Sequence, residues 1–282
     1  MSVDVEDWFQ VENLKPVVTR ASWPEREYRV EFTTRRILSL FADTGVRATF
    51  FCLGWVAERS PGLIREIADA GHEVASHGYA HELVYEQSAA DFRADVVRAR
   101  TLLEDVSGLP VGGYRAPSFS ITADAARILA ETGHTYDSSV FPVGGHDRYS
   151  RLDDGALSEP ADPAARAVRT WSGSRLWELP ITTRELAGLR LPWGGGGYFR
   201  MIPAGMFRRG FTESIDRGGG GVFYLHPWEI DPGQPRVEGL RLSHRFRHYV
   251  NLARTEGRLR TLCQRVHFGR ADEFLAARGC LP

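Results

Sequence analysis

Cysteine is scarce in this chain of 282 residues, with Cys52, Cys263 and Cys280 as its three examples. They are far apart and form no CxxC pair, which excludes a disulfide framework and a thiolate zinc site and points to a reducing compartment. Lysine is scarcer still: Lys15 stands alone, so arginine supplies the other 34 of the 35 basic residues. No excess of either charge exists, because 36 acidic residues balance them. A global field toward nucleic acid or anionic lipid is therefore missing, and a small or neutral substrate fits better. No apolar run reaches the 18 residues of a membrane span. The opening residues MSVDVEDW carry acids where a secretion signal carries basic and then apolar residues, so the expected location is cytoplasmic or peripheral to the inner membrane. Internal repeats and low-complexity tracts are absent. Two glycine tracts, Gly194-Gly197 and Gly218-Gly221, lack the spacings of phosphate cradles and read as flexible loops.

What the chain does have is alternation. Apolar runs at Val3-Val5, Ala48-Leu53, Glu73-Ser76, Val111-Tyr114, Thr135-Tyr136, Leu176-Ile181 and Val222-Leu225 read as seven buried strands. Between them lie helices with readable ends. One begins at Thr33 or Thr34 and stops at Gly45, and one opens at Ser60-Pro61 and stops at Gly71. A third opens on the capping box Ser88-x-x-Asp91 and stops at Gly108, and a fourth runs from Thr122 to Gly133. Strands joined by single helices make right-handed βαβ units and a parallel sheet, whose functional residues gather at the strand C-terminal ends. The expected fold is α/β, a distorted (β/α)7-type barrel over residues 1–240, with residues 241–282 as a helical extension packed on it. In that extension Phe246, Tyr249, Val250 and Leu252-Ala253 share one face. Residues 141–175, where glycines, prolines and aspartates crowd together, read as a long excursion over the barrel mouth.

The sharpest chemical signal is SHGYAH at 76–81, directly after a strand. His77 and His81 are four apart, a spacing that suits capture of one divalent metal, although surface histidines on a loop would share it. Asp4, Glu6 and Asp7 end the first strand. Such acids are usually a solvated turn, but barrel strands deliver their ends to a common mouth. Two histidines and a carboxylate with open positions make a hydrolytic metal site, and a second carboxylate would be the general base. His226 follows the last strand, where an acid for a leaving amine could stand. Trp8, Trp193, Trp228 and Tyr198 are available to stack on sugar rings or to fill a core.

Together these segments resemble the carbohydrate esterase family 4 polysaccharide deacetylases, the NodB-homology domain. Ser2-Val3-Asp4-Val5-Glu6-Asp7 stands for the family's TFDDG motif, His77-Gly78-Tyr79-Ala80-His81 for H[ST]xxH, and Arg115-Ala116-Pro117-Ser118-Phe119 for RxP[YF]. Tyr136-Asp137-Ser138-Ser139 is a weaker fourth motif, and Tyr224-Leu225-His226 approximates LxH. From His226 onward the chain also resembles the DUF3473-type branch encoded with exosortase-linked exopolysaccharide clusters. The resemblance implies a metal-dependent hydrolase of N-acetyl groups on a polysaccharide, an exopolysaccharide or its lipid-linked precursor. The expected cofactor is a divalent metal, Zn²⁺ first, held by His77, His81 and either Glu6 or Asp7. Asp4 would be the base, Arg115 its partner and His226 the acid. Pro117, Phe119 and Trp228 would contact substrate, with a backbone N–H near Pro117-Phe119 facing the oxyanion. The implied partner is an N-acetylated polysaccharide or oligosaccharide, with no nucleic acid and no membrane span. Two departures stand out: DVED replaces adjacent aspartates, and Gly78 replaces a hydroxyl residue. An allantoinase-like hydrolase of a small amide, or a catalytically silent carbohydrate-binding barrel, would use the same fold.

Overall fold

A computed structural model describes residues 1–143, 155–158 and 168–281. Its first strand, β1 (Ser2–Val5), β2 (Thr49–Cys52) and β3 (Glu73–Ser76) are buried at every position, as parallel strands covered on both faces must be. The shorter strands β4 (Gly113–Tyr114), β5 (Tyr136–Asp137), β6 (Arg169–Thr170) and β7 (Trp177–Glu178) continue the sheet. A hairpin of β8 (Thr183–Leu186) and β9 (Leu189–Pro192) stands apart, and β10 (Tyr224–Leu225) returns beside β1. The sheet order is β10-β1-β2-β3-β4-β5-β7-β6, parallel except where β6 joins β7. A parallel bridge between Ile181 and Val222 links the two flanks of this curled sheet, so the α/β barrel is nearly closed. All seven strands expected from the apolar runs lie in it. No apolar run marks strand β6 or the hairpin.

Helices α1 (Val30–Thr44), α2 (Gly54–Arg59), α3 (Pro61–Asp69), α4 (Ala89–Ser107) and α5 (Ala123–Glu131) wrap the outside. Ser88 and Thr122 cap α4 and α5 as their sequence implies, each accepting from the N–H three residues on. Helix α1 starts earlier than Thr33, at Val30, because the Asp7 carboxylate accepts the N–H groups of Arg29 and Val30 and so ends the chain's approach there. Phe50 and Val74 face these helices in the main core, while Phe51, Ala75 and Tyr136 turn inward. Register sets Asp4 beside Phe51, so the acid side chain of β1 also turns into the barrel.

The first glycine tract is not a flexible loop. Gly196 opens α6 (Gly196–Met201), Gly194 accepts the N–H of Tyr224, and a Cβ on Gly195 would lie 1.9 Å from the Tyr224 carbonyl oxygen. The tract is glycine because β10 passes against its backbone. The second tract ends α7 (Ala204–Gly218), with Gly219 as its left-handed cap. Of the excursion expected over 141–175, residues 144–154 and 159–167 lie outside the described residues. Helices α8 (Leu242–Tyr249), α9 (Leu252–Cys263) and α10 (Ala271–Ala276) complete the chain. Tyr249 and Leu252 are buried in them as expected, whereas Phe246 is 60% exposed and packs in no core. No helix among the described residues is long and apolar enough to cross a membrane.

Candidate active site

Strand ends converge on one cavity, lined by Asp4, Glu6, His77, His81, Phe119 and His226 among others. Asp4 sits near the end of β1 and Glu6 just beyond it, where the Glu6 N–H turns back to the Asp4 carbonyl. His77 follows β3 and Arg115 follows β4. The two N-terminal N–H groups of α2, on Gly54 and Trp55, donate to the carbonyls of Gly78 and Tyr79, so a helix start holds the loop that carries both histidines. Its turn needs Gly78. The residue has φ +72°, and a Cβ would lie 2.8 Å from the Asp95 Oδ2 that accepts the Tyr79 N–H. Gly78→Ser, which restores the family's hydroxyl residue, is expected to lower stability by roughly 1–3 kcal/mol. Thermal unfolding at equal metal load checks this; an unchanged midpoint would mean that the loop accommodates the side chain.

One carboxylate oxygen of Glu6 and one ring nitrogen each of His77 and His81 lie within 4.8 Å of one another. His77 Nδ1 donates to the Arg115 carbonyl at 2.7 Å, which leaves Nε2 as a lone-pair donor toward the cavity. Glu6 Oε2 is 2.8 Å from His81 Nε2 yet has no aligned hydrogen-bond donor, and it is fully buried. A buried carboxylate oxygen without a donor is costly unless a cation completes it. Two nitrogens and one carboxylate oxygen with room for more ligands suit zinc or a similar divalent ion. Burial alone would raise the pKa of Glu6, but His81, His226 and His77 outweigh it and hold the carboxyl down at about 2. Burial lowers His77 to about 4, so its ring is neutral and able to ligate.

Asp7 is not part of this group. Its Oδ1 accepts from Trp8 and its Oδ2 from Arg29 and Val30, so its carboxylate points away and caps α1. Of the two alternatives for the third ligand, the fold brings Glu6 to the histidines. The two acids should separate by experiment. Asp7→Ala is expected to cost about 0.5–2 kcal/mol of stability, the usual loss of a helix cap, with zinc binding intact, whereas Glu6→Ala should lose zinc. Calorimetric zinc titration of both variants decides it, and zinc loss on Asp7→Ala would reverse the assignment.

On the other side of Glu6, Asp4 Oδ1 accepts from Arg115 Nη1 at 2.6 Å. Arg115 is wholly buried, also donating to Ser2 Oγ, the Ser138 carbonyl and Ser138 Oγ, with its guanidinium 4.1 Å above the Phe51 ring. Ser139 Oγ accepts the Ala116 N–H. The fourth motif therefore braces the third. Asp137 itself pairs with Ser139 and with Glu178, not with any residue of the cavity. His226 reaches across from β10, its Nε2 3.4 Å from Glu6 Oε1 and 3.8 Å from Asp4 Oδ2. Burial opposes its charge, but Glu6, Glu229 and Asp4 outweigh burial and raise its pKa to about 9. His226 is thus a cation at neutral pH in this environment.

The expected substrate contacts are rearranged. Phe119 lines the cavity but Pro117 does not. The Phe119 N–H donates to the Ala116 carbonyl, so it cannot face an oxyanion; Ser118, at the position of the family's aromatic, also lines the cavity. His81, Ser118 and Phe119 all have positive φ, 54°, 50° and 58°, and strain of this kind collects at functional sites. Trp228 is buried as a cavity wall, with Nε1 donating to Glu6 Oε1 at 3.3 Å. Trp8 and Trp193 donate to the carbonyls of Glu27 and Phe207 inside the protein and offer no sugar platform. Tyr198 is half-buried on the lining. Two residues outside the five motifs complete the site: Glu229 accepts from His226 Nδ1 at 2.7 Å, and Arg200 donates to Glu229 at 2.6 Å.

Residues 26–136 match the polysaccharide deacetylase family model, and residues 138–276 match a domain of unknown function, DUF3473. Over residues 26–136 the chain is thus similar to the polysaccharide deacetylases. It is 31% identical over 119 residues to the peptidoglycan deacetylase of Helicobacter pylori, a match that covers 42% of this chain and 41% of that one. The chain thus spans about two fifths of the length of the curated relatives it matches. Among solved structures, a Mycobacterium smegmatis chain assigned to the polysaccharide deacetylases superposes with TM-score 0.62 at 21% identity, covering 100% of this chain and 90% of that one. The PuuE allantoinase superposes with TM-score 0.54 at 19% identity, covering 88% and 73%. At these identities the structural likenesses speak to the fold alone, a (β/α)7-type barrel.

Proposed function

We propose that this chain is a cation-dependent N-deacetylase of a polymeric sugar, an exopolysaccharide or its lipid-linked precursor, releasing acetate and leaving a free amine. The observation that carries the reading is the placing of Glu6, His77 and His81 around one point, with Asp4 on one side and His226 on the other. In this reading Glu6, His77 and His81 hold zinc or a similar ion. When bound, such an ion polarises the acetyl carbonyl and acidifies a water.

Asp4 is the general base and takes the water proton, kept ionised and oriented by Arg115. His226 gives its Nε2 proton to the departing nitrogen. Phe119 and Trp228 wall the acetyl group and exclude water, while Pro117 fixes the turn that presents Ser118. The barrel of residues 1–240 carries the chemistry, and the extension 241–282 packs on it as part of the same unit. A silent binding barrel would have no use for a base, an acid and three convergent ligands together. Acetate release from N-acetylglucosamine oligomers and glycan strands, measured beside hydrolysis of allantoin, tests the reading. Acetate from the sugars is expected; turnover of allantoin alone would replace it with the small-amide reading.

A further inference from the structure

The acid assigned to His226 can work only if its Nε2 faces the reacting atoms and carries the proton. We infer that Glu229 and Arg200 are positioning residues for His226, and that the chain's C-terminal segment holds them there; this rests on the deacetylase reading above. Glu229 Oε1 accepts from both the backbone N–H and Nδ1 of His226, at 3.1 and 2.7 Å. A carboxylate only accepts, so Nδ1 carries a hydrogen and Nε2 is left to face Glu6 and Asp4. The two contacts on one side chain also fix the ring's rotation, as an orienting acid does in a catalytic triad.

Glu229 is itself held. Its Oε2 accepts from Arg200 Nε at 2.6 Å in a pair that is almost entirely buried. The rest of the Arg200 guanidinium leaves the barrel: Nη1 donates to the carbonyls of His248 and Val250, both at 2.9 Å, and Nη2 to that of Arg247 at 2.8 Å. These are the unpaired carbonyls at the end of α8, where a helix is negative and favours a cation. Asn251 Nδ2 and Arg258 Nη1 return to the Arg200 carbonyl at 2.8 and 2.7 Å. The Trp228 ring is stacked between His226, at 5.3 Å, and His248, at 4.4 Å. Helix α8 is thus joined to His226 by two routes, one of hydrogen bonds and one of stacked rings. In this way the DUF3473 region supplies and braces the acid half of the site.

Glu229→Gln keeps the shape but presents an amide that can satisfy Nδ1 in either tautomer. Its kcat on an N-acetyl oligosaccharide should fall by roughly 10²- to 10⁴-fold, the range for losing a proton-transfer group or its orienting acid. An activated acetate ester, whose leaving group needs no proton, should lose less than about tenfold, and calorimetric zinc affinity should be unchanged. Arg200→Lys, which retains the charge but not the three-carbonyl fork, should show the same split more mildly. The Nδ1–H proton of His226 gives an NMR reading independent of turnover: bonded to the Glu229 carboxylate it should resonate far downfield in the wild type, and it should move upfield in Glu229→Gln. Equal losses on ester and amide, or an unaltered His226 ring spectrum, would overturn the positioning role. A folded wild type that binds zinc but deacetylates no sugar would instead count against the deacetylase reading.

Discussion

Replacing His77 or His81 by Ala should bring acetate release below detection and remove zinc from the purified protein without unfolding it. Both rings belong to the three-atom cluster with Glu6, and losing either nitrogen leaves a site of three protein ligands with only two. The fold should survive because the core of β1, β2 and the outer helices is built around Val3, Val5 and Phe50, which do not line the cavity. Dialysis of the wild type against a chelator should copy the activity loss with no change in circular dichroism, and added zinc should restore it. The comparison is between zinc content and thermal midpoint. A variant that keeps its zinc, or a wild type that unfolds on chelation, would remove the metal site as described.

The second large effect belongs to His226. With Asp4 as base, His226→Ala should cost roughly 10²- to 10⁴-fold in kcat on an N-acetyl sugar and should spare zinc binding. The same variant should lose far less on an activated acetate ester, because an amine leaving group must be protonated and an activated phenolate need not be. Steady-state kinetics on both substrates checks it. Equal losses would make His226 a binding residue and would move the acid elsewhere. Asp4→Asn gives the contrast: it removes the base that both substrates need, so both rates should fall together.

Much of this architecture was legible in the sequence because a parallel barrel strand is buried on both faces and writes itself as a short apolar run. Val3-Val5, Glu73-Ser76 and Val222-Leu225 are of that kind, and each falls on a strand. The hairpin β8–β9 was not legible, since half of its residues are exposed and charges interrupt its apolar positions, TREL and LRLP. Asp4 and Glu6, on β1 and just past its end, stood out as acids at a strand terminus, and both line the cavity. The capping role of Asp7 was hidden because its partners, the N–H groups of Arg29 and Val30, lie more than twenty residues away. Glu229 left a faint signal, an acid three residues after a histidine with proline between, which is a capping-box spacing. Arg200 left none: it lies 29 positions before Glu229 and meets it only through the fold. Tryptophans misled in the usual direction, as Trp8 and Trp193 are core residues.

The most direct test is acetate release from an N-acetylated oligosaccharide while zinc is titrated into chelator-treated protein, with His77→Ala carried in parallel. The expected result is acetate that rises to a plateau at one equivalent of zinc in the wild type and stays at background in the variant. Acetate formed before any zinc is added, or equally by His77→Ala, would contradict the assignment of Glu6, His77 and His81 as the centre of the reaction.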